Sequence, residues 1–268
     1  MSLPMDMLAD THVHLHPAFD IDRTLDSAAE NFDRADPGLP SSARMDVLCL
    51  TDSAGHRSDR DLLESIRPAA AWRFSPVPDS SGACAERSDG RRIYLLPGFQ
   101  IISTENLEIL ALDCRCPQPD READLSTLID RILTCGGIPV LPWGFGKWTG
   151  ARGEAVRQLI DSRQDFYLAD NGNRLRGTRL PALLAQGRDQ GLPLLTGSDP
   201  LPLPSQYARA GACGIRAGLP KDESDPSRAF RQVLDARAWS TFGTLVPLGS
   251  FVFNQVAMQI RKRIARPA

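Results

Sequence analysis

Apolar residues along the chain fall into two rhythms. Short apolar runs that end in polar or small residues read as strands, and stretches with apolar residues every three to four positions read as helices. Residues 5–16 begin apolar and then alternate, which predicts a strand running into a loop. Asp46-Val47-Leu48-Cys49-Leu50-Thr51-Asp52 is apolar at successive positions, the pattern of a parallel strand covered on both faces. Further strands are predicted over 71–77, 92–102, 107–112, 138–141, 165–170 and 193–199. Between 71–77 and 92–102, the polar segment 78–90 predicts a hairpin or an excursion with a mobile tip.

Helices are predicted over 20–34, 58–66, 120–135, 155–162, 179–190, 227–239 and 251–264. The first is broken by Pro37-Gly38-Leu39-Pro40 and the second by Pro68. The third carries Leu125, Leu128, Ile129, Ile132 and Leu133 at helical spacing and ends at Gly136-Gly137, where a glycine cap belongs. Strands alternating with helices predict an α/β fold, a parallel sheet with helices outside it. No internal repeat or boundary divides the 268 residues, which suit one domain, 1–268.

Composition narrows the function classes. Hydrophobic residues at 42% and charged residues at 24% are those of a globular protein. A net charge of -2 without a basic stripe argues against nucleic acid as a partner. Arg261, Lys262, Arg263 and Arg266 are read as a solvated helix end whose cations suit the helix dipole, with contact to an acidic partner or a membrane surface as the alternative. None of the six cysteines forms a C-x-x-C pair; Cys49 and Cys135 read as core residues and Cys114-x-Cys116 as a loop. The N-terminus carries no secretory pattern and no apolar run is long enough to cross a bilayer. Free thiols without a leader place the expected location in the cytoplasm, with no membrane partner.

Three of the four histidines fall within five residues. Asp10, His12, His14 and His16 alternate, so an extended strand turns them to one face, where neutral imidazoles are ligands for zinc, manganese or iron. Asp199 follows the apolar run Leu194-Leu195-Thr196-Gly197-Ser198, which puts a second carboxylate at a strand end, able to ligate a metal or handle a proton. Asp52 is placed similarly. For both aspartates a turn or cap role is the competing explanation.

The order of these motifs resembles the PHP family, named for polymerase and histidinol phosphatase. Its D-x-H-x-H strand is matched by Asp10-Thr11-His12-Val13-His14, and its T-D-H by Leu50-Thr51-Asp52, with Ser53 in place of histidine. P-G-x-E is matched by Pro97-Gly98-Phe99-Gln100, with glutamine for glutamate. Glu108 stands where a further histidine belongs, and Gly136-Gly137-Ile138-Pro139-Val140-Leu141-Pro142-Trp143 replaces a glycine pair leading to A-H-P. Asp170-Asn171-Gly172 matches the asparagine–glycine strand end, and Gly197-Ser198-Asp199-Pro200-Leu201 keeps the aspartate of G-S-D-A-H without its histidine. The resemblance spans positions 10–199 and implies a distorted TIM-like barrel of about seven strand–helix units.

It also implies a reduced metal site: one divalent ion, zinc, manganese or iron, on His12, His14, Gln100 and Asp199. The expected function is that of a metal-dependent hydrolase, possibly of phosphate esters, acting on a small molecule. His16, Asp52 and Asp199 are the proton-handling candidates, and Trp143, Trp148 and Asn171 the pocket-shaping ones. Lys147 and Arg174 follow strand ends and are weighed as anion contacts against solvated loop charges. One alternative is a catalytically inactive relative that binds a small molecule or protein; Trp143 in place of a ligand suits it. Another is the amidohydrolase superfamily, which also opens with His-x-His but needs two more histidines, where this chain has only His56.

Overall fold

The computed structural model describes residues 5–53, 66, 69–78, 80–114, 123–219 and 223–264, leaving out the side chains of 52, 53 and 262–264. The helix expected over 58–66 falls almost wholly outside these residues, as does His56.

Period-two burial organises the core. In β2 (Arg44–Leu50), Val47 and Cys49 point to one hydrophobic cluster while Leu48 and Leu50 point to another. In β1 (Met5–Val13), Met7 and Ala9 share the cluster of Val47, and Leu8 shares that of Leu48. Both strands are therefore covered on two faces. The cluster of Met7, Val47 and Leu96 also contains Leu110, Val140, Ala169 and Leu195, which come from a second sheet. The two sheets thus share an interior, which Ala229, Phe230, Val233 and Leu234 of the helix Pro226–Ala236 also join. The helix Ile21–Ala35 packs into the outer cluster of the first sheet, and the helices Leu125–Thr134, Ala151–Ser162 and Ala182–Asp189 into that of the second.

The first sheet has the order β13-β12-β1-β2-β6-β5-β4 and the second β11-β10-β9-β8-β7-β3. The remaining strands are β3 (Asp52–Ser53), β4 (Trp72–Pro76), β5 (Ala83–Arg87), β6 (Arg92–Leu96), β7 (Gly98–Ile102), β8 (Glu108–Leu112), β9 (Ile138–Trp143), β10 (Tyr167–Asp170), β11 (Leu194–Thr196), β12 (Cys213–Leu219) and β13 (Ser240–Gly243). The helices are α1 (Ile21–Ala35), α2 (Leu125–Thr134), α3 (Ala151–Ser162), α4 (Ala182–Asp189), α5 (Pro226–Ala236) and α6 (Leu248–Ile264). Asp20, Asp124 and Asp225 cap α1, α2 and α5, each accepting a backbone N–H of the first turn.

The fold is mixed α/β, but its pairing departs from the parallel expectation. β9, β10 and β11 are parallel to one another, as are β1, β2 and β6. β7, β8 and β9 are antiparallel, as are β4, β5 and β6, and β12 runs antiparallel to both β1 and β13. Connection length explains the hairpins: only residues 103–107 separate β7 from β8, far fewer than the dozen or so a parallel crossover needs. The segment 78–90, expected as a hairpin or an excursion, takes the hairpin form: it contains β5, antiparallel to both β4 and β6, whose small Ala83, Cys84 and Ala85 are buried. The stretch 92–102 is two strands, one in each sheet, divided at Pro97, which lacks the N–H to continue a ladder. Cys135, expected in the core, is an exposed residue at the end of α2 and is disulfide-bonded, so the thiols are not all free.

Among the described residues, the strands do not close into one hydrogen-bonded barrel. The sheets instead meet along two seams. At one, β2 runs through Thr51 into β3, and the Thr51 N–H donates to the Val13 carbonyl at 2.8 Å. At the other, β1 lies against the end of β11: Thr11 Oγ1 donates to the Thr196 carbonyl at 3.0 Å and the Asp199 N–H to the His12 carbonyl at 2.8 Å. The second seam brings the two halves of the predicted metal site together. No helix among the described residues is long and apolar enough to cross a membrane.

Candidate metal centre

β1 carries His12 near its C-terminal end and His14 just past it, on the same side of the strand. Both are buried, and their Nε2 atoms face each other at 3.1 Å. Asp199, just past β11, places Oδ1 3.6 Å from His12 Nε2 and 3.8 Å from His14 Nε2. These atoms form a triangle whose circumscribed circle has a radius of about 2.0 Å, the distance at which zinc binds imidazole nitrogen and carboxylate oxygen. Burial and the neighbouring His12 ring pull His14 down to about 3, so its imidazole is neutral and its lone pair available. Burial works to raise the Asp199 carboxyl, but the facing His12 and His14 rings and Lys147 outweigh it and hold the group below its usual value. Two imidazole nitrogens around an ionised carboxylate are a donor set that fits a divalent cation. Among the described residues, the Nδ1 atoms of His12 and His14 are buried without a hydrogen-bond partner, so no outer hydrogen bond reaches either ring at that nitrogen.

Asp199 is held in an uncommon conformation. Its φ is 43°, in the left-handed region, and Pro200 follows it. Asn171, just past β10, donates from Nδ2 to Asp199 Oδ2 at 2.9 Å, and Asn173 Nδ2 donates to the Asp199 carbonyl at 2.8 Å. Two asparagines thus fix one carboxylate oxygen and the backbone, leaving Oδ1 turned to the histidines. Replacing Asn171 with alanine is expected to weaken metal binding about tenfold while leaving the fold intact, the usual cost of removing a group that orients a ligand. Zinc titration against a competing chelator checks this.

Asp10 has a different task from the one alternation predicted. It is buried, and its carboxylate accepts from the backbone N–H groups of His12, Ser198 and Gly211 and from Ser198 Oγ. Burial pushes the group up to about 7 against the pull of these bonds. Asp10 therefore ties β1 to the segment that carries Asp199 instead of facing the metal.

The other predicted residues are distributed around this core. The Gln100 side chain hydrogen-bonds the His14 imidazole. His16 stacks on His14, with ring centroids 5.2 Å apart, and its Nε2 lies 2.9 Å from the Pro200 carbonyl. Since a carbonyl only accepts, Nε2 carries the proton and Nδ1 is the basic atom. Burial lowers the His16 pKa. Asp52 sits on β3 opposite Phe99, and its side chain lies outside the described residues. Trp143 ends β9 and Trp148 is buried in the outer core, which Trp143 also touches. Arg174 is bound to Asp170 and to the Thr178 and Arg179 carbonyls, a structural role. Asn173 carries no signal in the sequence, and Gly197 enters there only as the first residue of the motif that holds Asp199.

Comparison with known proteins bears on the fold. The fold resembles that of PsfC from Pseudomonas syringae PB-5123. That likeness has a TM-score of 0.53 at 18% identity and covers 97% of this chain and 99% of that one. The lesion-specific endonuclease PfuEndoQ from Pyrococcus furiosus is similar at a TM-score of 0.52 and 14% identity, over 88% of this chain and 58% of that one. A two-domain protein from Bacteroides vulgatus ATCC 8482, described as containing a predicted PHP-like metal-dependent phosphoesterase, reaches a TM-score of 0.49 at 14% identity, over 89% of this chain and 65% of that one, too low to argue from. No family model matches the chain, and no curated protein matches it. At these identities the likenesses speak for the fold alone.

Proposed function

We propose that the chain is a PHP-like hydrolase, its two seamed sheets an opened variant of the family's barrel, acting through one divalent ion held by His12, His14 and Asp199. The observation that carries this reading is the triangle of two buried imidazole nitrogens and a carboxylate oxygen with a radius of about 2.0 Å. These three residues are the one group of potential ligands found together among the described residues, which supports a mononuclear site. A divalent ion there supplies Lewis acidity and activates water near neutral pH.

The residues around it have distinct roles in this reading. His12 and His14 present ring nitrogens from a buried strand end, and Gln100 adds an amide beside His14. Asp199 is the charged ligand, aimed by Asn171 and Asn173. His16 Nδ1 is the atom placed to accept a proton. Trp143 and Asn171 border the space where a small substrate sits. Phosphoester hydrolysis is the reaction class, which agrees with the phosphodiester chemistry of an endonuclease of similar fold. A near-neutral surface charge favours a small molecule over nucleic acid.

Elemental analysis of protein purified without a metal-affinity column tests the proposal. About one zinc, manganese or iron per chain is expected, with phosphoesterase activity that a chelator abolishes. No metal, even after incubation with excess zinc and manganese, overturns it. One observation favours the second reading, an inactive binding protein: both ligand histidines lack the outer hydrogen bonds that metal-binding imidazoles usually have. On that reading ligand binding is indifferent to the chelator.

A further inference from the structure

The turn after β9 lays a cation at the rim where β7, β9 and β10 end. The Lys147 N–H donates to the Gly144 carbonyl at 3.0 Å, closing the turn, and Gly146 within it has a φ of 70°. The lysine stem lies across the bare Gly144 backbone: a Cβ on Gly144 would be 2.6 Å from Lys147 Cδ and 3.1 Å from Cε and Cγ. Its ammonium pairs with the Glu108 carboxylate. Glu108 begins β8, and β8 runs antiparallel to β7 and β9, so the start of β8 lies at the same rim as the ends of β7 and β9. That rim also carries Trp143, and Asn171 just past β10.

We infer that Lys147 is the anion-binding residue of the site, the fixed cation that meets the phosphoryl group of a dianionic phosphate ester. Charge balance supports this. A divalent ion with one carboxylate ligand has a net charge of +1, which leaves one negative charge of a dianion unmatched. Lys147 is partly exposed, its stem laid across Gly144, and its present partner Glu108 is also at the rim. An exposed pair of this kind contributes little to stability, so exchanging the carboxylate for a substrate oxyanion costs the fold little. Neighbouring cations are committed elsewhere: Arg174 to Asp170, and Arg261 Nη1 to the Pro202 carbonyl at 3.0 Å.

The inference rests on the hydrolase reading for its metal, and its test separates the two. The probe is phenylphosphonate, a phosphate-ester mimic with no bond to cleave, titrated calorimetrically into zinc-loaded protein with benzoate as the monoanionic control. Metal content is measured on the same samples. Wild type is expected to prefer phenylphosphonate. Lys147→Gln weakens its binding about tenfold or more, the loss typical of a hydrogen bond to a charged group, while metal content is unchanged. Lys147→Arg recovers part of the affinity, and Glu108→Gln, which releases the lysine, tightens binding severalfold. Undetectable phenylphosphonate binding by wild type, unchanged affinity in Lys147→Gln, metal loss in Lys147→Gln, or equal binding of benzoate would overturn the assignment. If wild type holds no metal yet binding still depends on Lys147, the hydrolase reading falls and the anion site stands.

Discussion

A His12→Ala, His14→Ala double variant is expected to contain less than about a tenth of the wild-type metal, because one carboxylate alone does not hold a zinc site that needs at least three protein ligands. The measurement that separates metal loss from misfolding is the melting temperature with and without chelator. A ligand present at a thousand times its Kd stabilises the native state by about 4 kcal/mol, which for a chain of this size is roughly 10 °C in Tm. Wild type should fall by about that amount when stripped, and the double variant should not respond. An Asp199→Asn variant gives the same test with less loss of packing. Its amide oxygen still accepts from Asn171, so the loop stays in place while the charge that attracts the cation is gone. A double variant that keeps full metal content would show that the ion sits elsewhere.

The elements were largely legible because their signals are local. The burial of β1 and β2 on both faces follows from their apolar runs, and the apolar stripe of α2 from its helical spacing, and neither needs knowledge of the partner. The arrangement of the strands was less legible. Whether β8 lies parallel or antiparallel to β9 depends on where the chain returns, and the single parallel sheet failed for this reason, whereas the strand expected over 92–102 is divided at Pro97. β5 carries only a weak strand signal because Ala83, Cys84 and Ala85 are small and flanked by polar turn residues, so a buried strand looks like a loop. β12 lacks a strong signal for the same reason, since Gly214 and Gly218 interrupt its apolar pattern.

The site divides in a similar way. His12 and His14 could be read because two imidazoles on alternate strand positions must face the same way, and Asp199 because it follows an apolar run. The structure brings these three together. Asp10 obeyed the same alternation and was grouped with them, but its oxygens are occupied by Ser198 and Gly211, about 190 and 200 residues away. No local pattern distinguishes a carboxylate that ligates from one that braces; the difference lies in which distant backbone arrives beside it. Lys147 is a related case. In the sequence it is one more loop cation, and its position becomes informative only once β8 is known to turn Glu108 toward the same rim.

Gly197→Ala is the substitution outside the ligands with the largest expected effect. A Cβ at this position would lie 2.5 Å from both the backbone nitrogen and the Cβ of His12 and 3.0 Å from its Cα. Two of these atoms are backbone, in a strand paired on one side with β2 and on the other with β12, so rotating a side chain does not relieve the clash. Either β1 shifts or the 197–199 segment moves away. Movement of that segment breaks the bonds of Ser198 to Asp10 and of the Asp199 N–H to the His12 carbonyl, and carries Asp199 Oδ1 away from the two imidazoles. Overpacking of this kind costs about 1–3 kcal/mol, and unmet buried donors add about 1–3 kcal/mol each. The variant should therefore melt well below wild type. It should also bind zinc at least a hundredfold more weakly, a loss greater than that of Asn171→Ala, because the whole ligand is displaced and not only its orientation. Calorimetric zinc titration at a temperature where the variant is folded reads the second effect apart from the first. Wild-type zinc affinity in folded Gly197→Ala protein would mean that the seam between β1 and β11 does not set the geometry of the centre.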